Sequence, residues 1–237
     1  MTEPFHTTRW SLVVRTGATD EATARRALGE LCELYWPALF AYARRRGLSD
    51  DAAREAVQSF CLRLMERGGV EGARPEAGRF RAYLLAAFAN AMKAEARAAH
   101  AQKRGGGRPH ASFDAGDAFD VADAADSPEQ AFARNYAHAL LARANSRLRE
   151  EYAKRGRSSV YEALESALLG DDATAASGLA ERLGATEGAA RVALHRLRRR
   201  FGELVRDEVA ATLQDPGDLE DELMALRQAL AAAGPAR

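Results

Sequence analysis

Two cysteines in 237 residues, Cys32 and Cys61, are too few for a disulfide framework. Both fall at core-facing positions of helical patterns, so they read as buried reduced thiols, and a cytoplasmic location is expected. Histidine is sparse too: His6, His100, His110, His138 and His195 are scattered. No Cys or His cluster has metal-ligand spacing, so no metal is expected. No Ser/His/acid arrangement and no glycine-rich phosphate loop stands out, so the chain does not read as an enzyme and no cofactor is implied. Aromatic residues make up 7%, and β-branched runs are scarce. Hydrophobic content of 47% leans on alanine and leucine, which favours helices over strands. No stretch of about 18 uncharged apolar residues occurs, so no membrane span is expected. A basic start followed by an apolar block is also missing, which argues against a secretory signal.

The charge that is present is unevenly placed. Formal neutrality over the whole chain conceals a net +6 in residues 1–110, −6 in 111–130, +3 in 131–213 and −3 in 214–237. Two basic blocks therefore flank an acidic strip.

The first block reads as successive helices. Leu31, Leu34, Tyr35 and Leu39 begin one, which runs to Arg44, Arg45 and Arg46 and stops at Gly47. Ser49 and Asp50 cap a second, with Ala53, Val57, Phe60, Cys61 and Leu64 as its apolar stripe. Four glycines and Pro75 between Gly68 and Gly78 predict a loop. A third helix starts near Arg79, with Phe80, Leu84, Ala87, Phe88 and Ala91 inward. Arg81, Asn90, Lys93 and Arg97 lie off that stripe. The segment around 106–130 breaks every pattern and reads as a linker, with Asp114, Asp117, Asp120, Asp123 and Asp126 at every third position. That spacing does not match a calcium loop. It fits a solvated, self-repelling tether, or a polyanion that occupies a positive channel meant for nucleic acid.

The second block opens with Phe132, Tyr136, Leu140, Ala144 and Leu148 at i+4 spacing, then a short helix with Tyr161, Leu164 and Leu168. From Thr174 to Phe201 the pattern is helix, turn, helix: Gly184 supplies the break and Thr186 the N-cap. Ala190, Leu194, Leu197 and Phe201 make one face of the second helix, and Arg191, His195, Arg198 and Arg199 another. Such a helix suits a DNA major groove, although an ordinary helical hairpin with a solvated basic face has the same spacing. Leu219, Leu223, Leu226 and Leu230 outline a last amphipathic helix after Pro216, which packs on its own chain or on a partner.

In order and spacing these features resemble a bacterial RNA polymerase sigma factor of the extracytoplasmic-function (ECF) group, over roughly Leu31 to Val209. The family's clamp-docking segment, D-L-V-Q-E-x-F, looks like Glu55, Ala56, Val57, Gln58, Ser59, Phe60 and Cys61. Its promoter-reading helix, F-R-x-W-L-x-x-x-A-x-N, is similar to Phe80, Arg81, Tyr83, Leu84, Ala87 or Phe88, and Asn90. Its recognition pattern, G-x-S-x-G-T-V-K-x-x-x-H-R-x-R, is similar to Gly184, Thr186, Gly188, Ala189, Ala190, Arg191, His195, Arg196 and Arg198.

The resemblance implies an all-α protein of two small helical domains joined by a flexible acidic linker, the second domain ending in a helix-turn-helix. Its limits would be 1–105 for the polymerase-clamp and proximal-promoter domain, 106–130 for the linker, 131–213 for the distal-promoter domain and 214–237 for a C-terminal extension. Arg54, Gln58, Arg63 and Glu66 would face core RNA polymerase. Asn90, Lys93 and Arg97 would lie along the proximal promoter DNA, and the loop between Gly68 and Gly78 would cradle a flipped base. Thr186, Arg191, His195, Arg198 and Arg199 would approach the distal element. The partners implied are core polymerase and promoter DNA, with room for an inhibitory partner of the anti-sigma type and none for a membrane. Arginines on the two helices would neutralise phosphates, giving steep salt dependence. They could also read guanine edges at about 1 to 3 kcal/mol per bidentate contact.

Three departures from the pattern bear on these roles. Ser59 stands where the family has an acid, Val192 and Ala193 replace polar or basic residues, and 154–173 exceeds the usual connection, which predicts an extra or shifted helix. A stand-alone helix-turn-helix regulator would explain the recognition pattern but neither the clamp-like helix nor the acidic tether. A polymerase-binding helical module without DNA binding is the other alternative.

Overall fold

A computed structural model of the chain describes residues 21–66, 80–104, 126–168, 172–213 and 215–231. Among them every regular element is helical: α1 (Glu21–Arg45), α2 (Asp50–Glu66), α3 (Phe80–Arg104), α4 (Pro128–Lys154), α5 (Ser158–Glu165), α6 (Asp172–Leu183), α7 (Glu187–Ala210), a 3-10 turn (Pro216–Asp218) and α8 (Leu219–Ala231). The all-α expectation therefore holds for these residues. None of these helices is long and apolar enough to cross a membrane.

Local chemistry sets the helix limits. Gly47 lies at φ +92°, and the amide of Leu48 reaches back to the carbonyl of Ala43 at 3.2 Å, closing α1. Ser49 then caps α2, its hydroxyl accepting from the Ala52 amide at 3.3 Å. α4 begins with a reciprocal capping box: the Ser127 hydroxyl accepts from the Gln130 amide at 3.1 Å, and the Gln130 side chain accepts from the Ser127 amide at 2.7 Å. Asp126, just ahead of that start, pairs with Arg134 within α4.

The described chain divides into two compact units, one drawn from 1–139 and 210–237, the other from 140–209. These limits differ from the blocks expected at 131 and 214. The opening of α4 and all of α8 join the first-block helices, and an aromatic cluster gives the reason. Tyr35 of α1 stacks on Tyr136 of α4 at 4.7 Å between ring centroids, with Phe132 at 6.3 Å, and meets the edge of Phe80 of α3 at 5.6 Å. Such pairs contribute about 0.5 to 1.5 kcal/mol each beyond area burial. Burial holds both tyrosine hydroxyls above their ordinary pKa, and that of Tyr136 lies 3.0 Å from Thr212 Oγ1. α8 is anchored by buried Leu223 and Leu226 and by buried Glu222, which accepts from Arg81 Nε of α3 at 3.0 Å.

The second unit has its own core of Ala144, Leu148, Tyr161, Leu164, Leu179, Ala190, Leu194, Leu197 and Leu204. Polar ties reinforce it. Glu208 of α7, 1% exposed, accepts from Arg143 Nε at 3.2 Å and from Arg147 Nη1 at 2.9 Å, both on α4. Arg200 of α7 grips both carboxylate oxygens of Glu151, at 2.6 and 3.0 Å. The hydroxyl of Tyr161 lies 2.8 Å from both Glu165 Oε1 and Asn145 Oδ1. Desolvation, helped by the adjacent Glu165 carboxylate, pushes the Tyr161 pKa up to about 12. The short helix expected around Tyr161 and Leu164 is α5.

The glycine-rich loop between Gly68 and Gly78 and the acidic residues Asp114 to Asp123 lie outside the described residues.

Candidate functional site

The sequence places candidate contact residues on both units, and each unit offers one surface. In the first unit, α1 and α2 pack side by side and leave an open groove of about 480 Å³. Trp36 and Pro37 of α1 and Gln58, Leu62 and Met65 of α2 line it, with Cys32 and Cys61 in its wall. Leu62 is 47% exposed and adds apolar surface to this groove. Pro37 sits within α1 and removes the amide that would otherwise reach the Glu33 carbonyl. Gln58, singled out from the sequence, is exposed and stands on this groove. Trp36, Pro37 and Leu62 were missed, because side chains outside the apolar stripe carry no periodic signal.

The other residues assigned to this surface divide by their partners. Arg54 is exposed, with its guanidinium 5.8 Å from the Phe40 ring centroid and ion pairs to Asp50 at 3.6 Å and Asp51 at 3.3 Å. Glu66 is exposed. Arg63 is committed within the unit, to Glu95 of α3 at 2.7 Å. On α3, Asn90, Lys93 and Arg97 are all exposed, while Phe80, Leu84, Phe88 and Met92 are buried. Arg97 Nε also donates to the Lys93 carbonyl at 3.3 Å. Tyr83 is half-buried.

The second unit presents α7. Gly184, at φ +58°, ends α6, and the Ala185 amide donates to the Ala180 carbonyl at 3.0 Å, so the chain reverses in three residues. A side chain at 184 would be strained there. Thr186 caps α7, accepting from the Ala189 amide at 3.3 Å. Ala190, Leu194, Leu197 and Phe201 are buried. Across the helix Arg191, His195, Arg196 and Arg199 are exposed. Arg191 pairs with Glu187 of its own helix at 3.6 Å, and Arg199 with Glu203 at 3.2 Å. Such exposed pairs are worth little and exchange readily for an external anion.

Arg198 departs from its expected position on the DNA face. It is half-buried, and its guanidinium donates to the carbonyl of Ala167 at 2.7 Å and of Leu168 at 3.2 Å. Those carbonyls end the turn after α5, so Arg198 serves as a brace between α5 and α7. Arg200 is likewise drawn to Glu151. Arg196, quoted in the recognition pattern but not assigned a DNA contact, is the cation that takes the outward place. Val192, 50% exposed, lies among these cations.

Among the described residues no group of three or more His, Cys, Asp or Glu side chains could hold a metal ion. Comparison with protein-family models, with curated proteins and with solved structures finds no match for this chain.

Proposed function

We propose that this protein is a sigma-type initiation factor of the ECF kind, which binds core RNA polymerase and directs it to particular promoters without performing group-transfer chemistry itself. The observation that carries the reading is a pair of surfaces of opposite character on separate units: an apolar groove with Gln58 on it, and the cationic ridge of α7. An apolar groove of this size fits a helical segment of a protein partner. The ridge, with an apolar back sealed in a core and arginines outward, fits a DNA groove. Exposed Asn90, Lys93 and Arg97 on α3 supply a further row for phosphate contact. In this reading the protein works in the cytoplasm, and an inhibitory partner would compete for one of these surfaces.

The test mixes purified protein with core polymerase from its own source and a pool of genomic DNA fragments, followed by a heparin challenge. The expected result is heparin-resistant complexes and transcripts only when all three components are present. Leu62→Glu places a charge in the groove and should abolish polymerase binding while leaving the folded content by circular dichroism unchanged. A shift of duplex DNA by the protein alone, with no polymerase bound, would identify a stand-alone regulator instead.

One observation favours a second reading. With Arg198 turned inward and Val192 outward, α7 offers fewer base-reading groups than the family pattern implies. A polymerase-binding module without DNA contact would bind core enzyme, remain sensitive to Leu62→Glu, and give no transcript.

A further inference from the structure

The two cysteines, 29 positions apart in sequence, meet across the packed pair α1 and α2. Cys32 is half-buried and Cys61 buried, and both border the open groove of about 480 Å³. Both also border a void of about 10 Å³ behind it, a space for one water at most. Lining the same small void, the two thiols shift one another's proton affinity in opposite directions. The open groove thus brings solvent and small solutes to a wall that the two thiols share. We propose that Cys32 and Cys61 are a peroxide-reactive thiol pair that closes to an intramolecular disulfide in the wall of the groove.

The electronics agree with the geometry. The hydrogen bond from the Cys61 thiol lowers the Cys32 pKa, outweighing burial and the neighbouring Glu33 carboxylate. The same bond and burial push Cys61 up. Cys32, the more accessible sulfur, is therefore the nucleophile, and Cys61 stays a thiol that resolves. In the first step the Cys32 thiolate attacks hydrogen peroxide, forming an S–O bond as the O–O bond breaks and releasing hydroxide. In the second, the Cys61 sulfur attacks the Cys32 sulfenic acid, the S–S bond forms, and the sulfenic oxygen leaves as water with the Cys61 proton. The thiols together lose two electrons, and one peroxide is reduced to two waters.

The test uses the reduced full chain with one equivalent of hydrogen peroxide. Both thiols should disappear without a covalent dimer, and peptide mapping should join the Cys32 and Cys61 peptides by a bond that dithiothreitol reverses. Closure should be at least about tenfold faster than in the guanidinium-unfolded chain, because the fold holds the sulfurs together. In Cys61→Ser, dimedone should trap a sulfenic acid on Cys32, whereas Cys32→Ser should leave Cys61 unmodified. Retention of both thiols, a dimer linked through Cys32, first oxidation at Cys61, or closure no faster than in the unfolded chain would overturn the proposal. None of these readouts depends on polymerase or DNA.

Discussion

Arg198 and Arg191 lie seven residues apart on one helix, and replacing each with alanine should separate brace from reader. Arg198→Ala deletes two guanidinium–carbonyl hydrogen bonds, of 2.7 and 3.2 Å, and leaves the Ala167 and Leu168 carbonyls without that donor. A hydrogen bond to a charged group contributes about 1.5 to 3 kcal/mol when well sheltered. Because this guanidinium is half-buried, the pair together should be worth about that much. For a chain of this size the loss corresponds to roughly 3 to 12 °C in Tm. Arg191→Ala removes only an exposed pair with Glu187, worth at most about 0.5 kcal/mol. Its Tm should therefore move by no more than about 2 °C. On DNA the order reverses. Arg191→Ala should weaken promoter binding by about 1 to 3 kcal/mol and flatten its salt dependence by roughly one counterion. Arg198→Ala, measured below its own Tm, should bind nearly as the parent does. Differential scanning calorimetry and fluorescence anisotropy at several salt concentrations read both quantities. Unchanged Tm for Arg198→Ala, together with a loss of DNA affinity equal to that of Arg191→Ala, would refute the brace.

Two further outcomes follow from the second unit's charged ties. Glu208→Ala removes a buried carboxylate on which two partly exposed arginines converge and should cost about 1 to 3 kcal/mol, read as a lower urea midpoint with an unchanged slope. Glu208→Gln should cost less, and a loss under about 0.5 kcal/mol for the alanine variant would contradict the geometry. The second outcome concerns acid. Hydrogen bonds from Arg200 hold Glu151 and Glu203 below the ordinary carboxylate value of 4.5, and the Tyr161 hydroxyl does the same for Glu165. A depressed folded pKa stabilises above the unfolded value and loses that contribution as pH falls through the folded one. Tm should thus be level from neutrality to about pH 5 and decline below 4.5. The Tm gap between the parent and Glu165→Gln should narrow over the same acid range. A gap that is constant from pH 7 to pH 3 would remove Glu165 from the account.

Much of the local structure was written in short-range patterns. Ser49 before α2, Gly47 after α1 and Gly184 with Thr186 at the turn before α7 act within one helical turn, so residue type alone identifies them. The capping box of Ser127 and Gln130 is equally local, and S-P-E-Q was the available signal for it. Unit limits are a different matter. The first unit depends on Tyr35 meeting Tyr136 and on Arg81 meeting Glu222, pairs separated by about 100 residues or more. Periodicity shows that each of these helices has an apolar face but says nothing of which face it meets. The compositional break around 106–130 therefore looked like a boundary, although α4, which follows it, contributes its first part to the first unit.

Helix geometry also explains why Arg198 turns to the end of α5. At about 100° per residue, the stripe of Ala190, Leu194, Leu197 and Phe201 centres on a direction only about 70° from Arg198, against about 130° for His195 and 170° for Arg199. A long side chain at 70° can lie along the core edge and spend its charge on a neighbouring helix end. One at 130° or beyond cannot. Arg196, about 130° from the same centre on the other flank, was the better candidate by this measure. Spacing of i, i+4, i+7 and i+8 groups residues onto a face but leaves open which edge of that face touches the core. The identity of the packing partner, here the end of α5, decides it. Under the proposed function the DNA-facing ridge of α7 is Arg191, His195, Arg196 and Arg199, centred between His195 and Arg199, and a DNA contact map should include Arg196 and omit Arg198.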